Sequence, residues 1–187
     1  MKSVPKDLYS SDPDAYLAKI IVLVGERDRL YVLSENADAL AEIVGSHSVE
    51  QMRTRPFEGE WTPNEIIGHL SDTEWVFAYR LRVILCEDEP EILGMNHDLW
   101  VSGQRHNERE PMELVEVFRR LREPNVALWK RVERAQLQRS GLRNERGREM
   151  LNKYLTGQAG HDLSRVDHIR RYLATVNRGE THGNADR

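Results

Sequence analysis

Trp61-Thr62-Pro63-Asn64-Glu65-Ile66-Ile67-Gly68-His69-Leu70-Ser71-Asp72-Thr73-Glu74 is the stretch on which the reading of this chain turns. Thr62 puts a hydroxyl at an N-cap, and Pro63 presets φ at the first helical position. Glu65 follows three residues after the cap, where its carboxylate can reach back to the Thr62 amide, so the pair forms a capping box. From there Ile66, Leu70, Thr73, Phe77, Leu81 and Ile84 recur at helical spacing, and Pro90 predicts an end near Asp88. His69 lies at the edge of that inward stripe, with Asp72 one turn further on.

Three more segments keep helical spacing. The first opens at Asp12-Pro13 and runs through Tyr16, Ile20, Leu23, Val24, Leu30, Tyr31, Leu40 and Val44 to a stop at Gly45, with a weak point around Ser34 to Asn36. Another starts at Pro111 and carries Leu114, Phe118, Leu121, Leu128 and Val132, with Pro124 expected to kink it. The last runs from about Glu149 to Asn177. Between them, Glu89–Glu110 reads mainly as loop anchored by Trp100, and Gln136–Arg148 as a polar, arginine-bearing loop. No strand pattern competes. The prediction is an all-α, antiparallel up-down-up-down four-helix bundle over residues 12–177, with an N-terminal extension at 1–11 and a flexible tail at 178–187.

The totals fit this. A chain of 187 residues, 39% apolar and 31% charged, is one domain with a real core and wide solvated faces. No apolar run reaches the length of about 18 residues that spans a membrane, and residues 1–11 lack the apolar core of a secretory signal. One cysteine, Cys86, cannot make an internal disulfide, which points to a reducing compartment, the cytoplasm. A net charge of −4 argues against a nucleic-acid partner.

Chemistry is suggested where the stripes break. In the last helix Leu151, Leu155, Ile169, Leu173 and Val176 define the inward face, and Gln158, Asp162 and Arg165 fall on it with His161 at its flank. Arg27 likewise falls on the stripe of the first helix. Buried charges are costly unless they are paired or hold something. Two histidines on facing helices, His69 and His161, can share a metal; the plainer alternative is a pair of hydrogen-bonded core histidines.

The Trp61–Glu74 segment, together with Gly160-His161-Asp162-Leu163, resembles the signature of the DinB/YfiT-like family over roughly Asp12 to Val176. The resemblance implies a four-helix bundle, commonly a homodimer. It also implies a divalent metal such as zinc or nickel held by three histidines, one on helix two and two lying four residues apart on helix four. Relatives include thiol S-transferases that use a low-molecular-weight thiol, and many are described as metal-dependent hydrolases. Carried onto this sequence, the ligands are His69 and His161, and the third position holds Arg165.

An arginine has no lone pair to offer a metal and adds a fixed positive charge beside it. His168, seven residues from His161, stands about 10 Å along the axis and is too far to substitute. Two readings follow. In the preferred one the metal is lost, Arg165 pairs with Asp162, Asp72 or Glu74, and the guanidinium can hold a small anionic ligand. In the other a weak metal site persists on His69, His161, a carboxylate such as Asp72 or Asp162, and water, serving a thiol S-transferase or hydrolase. A non-catalytic, stress-related homodimer is a third. Elsewhere Cys86 reads as packing, His97 and His106 as surface loop residues, Trp75 and Trp129 as packing or a dimer face. The arginines at 139, 143, 146 and 148 read as a solvated loop balanced by Glu145 and Glu149.

Overall fold

The Thr62 hydroxyl accepts from the Glu65 amide at 3.1 Å, and the Glu65 carboxylate accepts from the Thr62 amide at 2.7 Å. That capping box starts the helix that fixes the rest of the molecule. In the computed structural model, residues 13–143 and 147–177 are described; the expected extension at 1–11, the tail at 178–187, and Glu145 and Arg146 lie outside them. The elements in order are α1 (Pro13–Val24), α2 (Arg29–Gly45), α3 (Val49–Arg53), α4 (Pro63–Cys86), β1 (Glu91–Ile92), α5 (His97–Gly103), α6 (Pro111–Trp129), β2 (Ser140–Arg143), β3 (Gly147–Met150) and α7 (Leu151–Asn177). No helix among the described residues is long and apolar enough to cross a membrane.

The four-helix bundle predicted from the sequence is the architecture, built from α2, α4, α6 and α7. Both α2 and α4 pack on α6 and on α7, so the order round the bundle is α2–α6–α4–α7. A further helix, α1, lies along α7, and the approach is close. A Cβ on Gly160 would come within 2.7 Å of the Ile20 Cβ and carbonyl oxygen, so only glycine fits there.

Two apolar clusters fill the interior, one around Leu40, Ile66, Leu70, Phe118 and Leu173, the other around Leu33, Leu81, Ile84, Trp129 and Tyr154. Each fully buried large side chain contributes about 1.5–3 kcal/mol. Between the clusters, α4, α6 and α7 place a layer of buried polar side chains at the same level: Glu74 from α4, Arg122 and Asn125 from α6, and Gln158, Asp162 and Arg165 from α7.

Several expectations need correction. The first helix breaks at Gly25, whose φ of +55° suits a residue without a Cβ, and restarts at Asp28, whose carboxylate accepts from the Tyr31 amide at 2.9 Å. The weak point near Ser34 stays helical because its hydroxyl donates back to the Leu30 carbonyl at 2.8 Å. Arg27 falls in the break, is exposed, and donates to the Leu23 carbonyl at 2.9 Å rather than entering the core.

Helix α6 runs on through Pro124, whose exposed position lets water replace the lost backbone bond. The supposed loop at 89–110 contains α5 and a 3₁₀ turn, His106–Glu108. A small sheet was also unforeseen: β1 runs parallel to β2, and β2 antiparallel to β3, with Arg143 opposite Gly147. Ile92 packs there so closely that a Cβ on Gly141 would lie 2.6 Å from it. Cys86, at the end of α4, is exposed rather than packed. Trp129 is buried and Trp75 is exposed.

Candidate functional site

Helix α4 carries His69 into the interior two turns after its cap, and α7 brings His161 to meet it. Their Nε2 atoms stand 3.2 Å apart, and both rings are buried. The Arg165 guanidinium closes the triangle. Its Nε donates to His161 Nε2 and one terminal nitrogen to His69 Nε2, each at 3.3 Å, and the other terminal nitrogen faces His168 Nδ1 at 3.5 Å. Its carbon lies 5.1 Å from the centre of the Trp61 ring. Arg165 is 1% exposed, the largest of the fully buried side chains.

Because a guanidinium only donates, the ring nitrogens it faces must accept. That sets His69 and His161 as the Nδ1–H tautomers, with the His161 Nδ1 side 3.8 Å from Asp162 Oδ1. All of this needs neutral imidazoles. Burial, then the neighbouring His161, His97 and His106, hold the His69 pKa well below the usual histidine range. Burial, with Arg165 and Arg171 beside it, pushes His168 down to about 3. Burial also opposes the charge on Arg165, yet a guanidinium keeps its proton near neutral pH.

A second cluster lies one layer deeper, and its cation is a residue the sequence reading did not single out. Arg122 of α6 donates from Nε to Glu74 Oε2 at 2.7 Å and from a terminal nitrogen to Asp162 Oδ2 at 2.6 Å. Asn125 donates to Glu74 at 2.7 Å, Gln158 to Glu74 at 2.8 Å, and the Trp129 indole to Gln158 at 3.3 Å. Burial alone would raise the Asp162 pKa; the Arg122 charge, aided by hydrogen bonds from His161 and Arg122, brings it below the ordinary value. The expected pairing of Asp162 or Glu74 with Arg165 is therefore corrected: Arg122 serves both carboxylates.

Asp72 is engaged elsewhere as well. It accepts from His106 at 2.9 Å and from Gln104 at 2.6 Å. His106, expected on the surface, is 1% exposed, locked against Gly68, where a Cβ would fall 2.2 Å from its ring. His97 is exposed at the rim, as expected, but its ring centre is 5.0 Å from that of His69.

Beside His161 a cavity of about 300 Å³ opens between α1, α4, α7 and the sheet. Leu17, Ile20, Val76 and Phe77 supply its apolar walls, and Arg80, Arg143, Glu149 and Lys153 its charges. Arg165 is sealed behind His161, so the expectation that its guanidinium itself holds an anionic ligand is not met.

The sequence profile of the DinB superfamily matches residues 33–165, a span that holds every residue of both polar clusters except His168. The chain belongs to the DinB superfamily. It is 23% identical over 132 residues to a protein of Oceanobacillus iheyensis named "Putative metal-dependent hydrolase", covering 70% of this chain and 75% of that one. Among solved structures it resembles YfiT from Bacillus subtilis, described as "a probable metal-dependent hydrolase with an unusual four-helix bundle topology", with a TM-score of 0.74 over 94% of each chain and 19% identity. At that identity the likeness is one of fold.

Do the residues of this DinB chain fit a metal? Two nitrogens on one tetrahedral zinc, bound at about 2.0–2.1 Å, stand roughly 3.3 Å apart, and the His69–His161 separation of 3.2 Å has that spacing. The remainder does not fit. The point on which both lone pairs converge faces the Arg165 guanidinium, whose charge would repel a dication. Asp72 and Asp162, the candidate substitute ligands, are committed to His106 and Arg122. Among the described residues no group of three or more His, Cys, Asp or Glu is placed to hold a metal ion.

Proposed function

We propose that this chain is a metal-independent member of the DinB superfamily, a small-molecule-binding bundle in which the Arg165 guanidinium stands where relatives are named for a metal. One observation carries the reading: the guanidinium donates at 3.3 Å to the same two imidazole nitrogens whose spacing would suit a zinc ion. A cation already supplied by the chain satisfies those lone pairs, neutralises the need for an ion, and keeps the His161 wall of the cavity rigid. The hydrolase or thiol-transferase chemistry implied by the relatives' names would then have no metal to run on here.

The test is metal analysis of untagged protein beside its Arg165→His variant. The wild type is expected to hold zinc and nickel only at background. The variant is expected to bind one zinc per chain, because the new imidazole would sit one turn from His161 on the face that already meets His69. Stoichiometric metal in the wild type, lost on His69→Ala, would overturn the proposal.

A further inference from the structure

The cavity beside His161 has a charge balance that its apolar walls do not require. Its lining carries Arg80, Arg143 and Lys153 against the single carboxylate of Glu149. Glu149 is shared between Arg143 at 3.6 Å and Lys153 at 3.7 Å, both longer than a close charge-assisted hydrogen bond of about 2.7–2.9 Å. Arg80 is held in a different way. It is 7% exposed, its guanidinium carbon lies 5.9 Å from the Phe77 ring centre and 5.7 Å from that of Tyr154, and it donates to the Leu93 carbonyl at 3.0 Å. Two rings from different helices and a backbone carbonyl thus fix a cation on the wall of a largely apolar chamber. Placing a guanidinium in such surroundings is costly unless an anion offsets it.

We infer that the cavity takes a small organic monoanion, a carboxylate on an aliphatic or aromatic body. The carboxylate lies toward Arg80 and Arg143, and the body lies against Leu17, Ile20 and Val76. This rests on reading the cavity as the ligand site, and it names the class of ligand. The volume, at the lower end for small-molecule sites of about 300–1,000 Å³, suits a body the size of a benzene ring or a short alkyl chain. An apolar body with one planar anionic end matches an apolar wall with planar, forked donors at one side.

The probes are benzoate and hexanoate, with benzamide and hexanamide as uncharged counterparts of the same shape, read by calorimetry and by thermal shift at low ionic strength. The carboxylates are expected to saturate a single site and raise the Tm, and the amides to do neither. Arg143→Gln should weaken benzoate binding at least about tenfold. Arg80→Lys, which keeps the charge and loses the fork, should weaken it less than Arg80→Gln. Arg119→Gln, on the outer face of α6 and paired there with Asp38, is the control and should change nothing. If Arg80→Gln fails to fold, Arg143→Gln and the amide comparison still decide. Equal binding of amide and carboxylate, no binding of either, or an unchanged Kd in Arg143→Gln overturns the inference. None of these readouts involves metal, so a chain that proved to hold zinc yet bound benzoate through Arg143 would refute the metal-independent reading and leave this one standing.

Discussion

Replacing Arg122 by methionine removes the one cation that serves two buried carboxylates. The Arg122, Glu74 and Asp162 side chains are 4%, 0% and 2% exposed, so water cannot take over. Breaking a buried pair by deleting one partner costs about 3–5 kcal/mol. Here one guanidinium holds two carboxylates and also donates to the Leu33 carbonyl at 3.1 Å, which places Arg122→Met at the top of that range, about 5 kcal/mol. A domain of ordinary stability holds only about 5–15 kcal/mol, so the variant sits near the edge of folding.

The assay is urea denaturation followed by far-ultraviolet circular dichroism. The triple variant Arg122→Met, Glu74→Gln, Asp162→Asn, which leaves no bare charge, should recover at least half of the loss. Acidification gives a second sign. In the wild type the Asp162 pKa lies below the ordinary value, so its contribution is present above the unfolded pKa and falls away as pH drops through the folded one. In Arg122→Met burial acts unopposed and raises that pKa, so the variant should gain stability on acidification. A loss under about 1 kcal/mol, a triple variant no better than the single, or an acid response like that of the wild type would refute the reasoning.

Gly68→Ala should destabilise despite the helix-propensity gain of about 1 kcal/mol, because its Cβ would meet the His106 ring at 2.2 Å; a Tm equal to or above wild type would contradict the packing. His168 has a pKa of about 3 in the fold against 6.5 outside it, so its contribution is complete above pH 6.5 and is lost progressively down to pH 3, at up to about 1.4 kcal/mol per pH unit. His168→Gln should flatten that acid limb in a stability-versus-pH series. Thr62→Ala should cost about 0.5–2 kcal/mol as a lost cap, and rather more than a bare cap if its hydroxyl's 2.7 Å bond to Asn107 also counts; thermal denaturation reads both.

The bundle was legible because each of its long helices announces itself locally. Thr62-Pro63-Asn64-Glu65 needs nothing distant to form its box, and Gln158, Asp162 and Arg165 interrupt a stripe that is otherwise apolar. The same signal was present in α6, where Arg122 and Asn125 follow Phe118 at four and seven residues. Pro124 between them suggested a kink and broke the count. What remained hidden depends on partners far along the chain. Ser140-Gly141-Leu142-Arg143 shows no alternation, and it becomes a strand because Ile92 and Met150 lie on either side of it. His106 looks like a loop residue until Gly68 and Asp72 are placed beneath it. Arg80 and Arg143 lie on different elements, and only the fold puts them in one cavity.

The seat of α1 against α7 has a consequence for how the protein is made. Ile20 and the glycine that receives it, Gly160, are 140 positions apart, so α1 leaves the ribosome long before its partner exists. At about 5–20 residues per second the wait is of the order of ten seconds. During that interval Leu17 and Ile20 have no α7 to cover them, and the cavity they help to wall has no floor. A helix synthesised ahead of the whole bundle is seated only when α7 has emerged, so the ligand chamber is completed at the end of synthesis, and an early stop anywhere before α7 yields a chain that cannot close it.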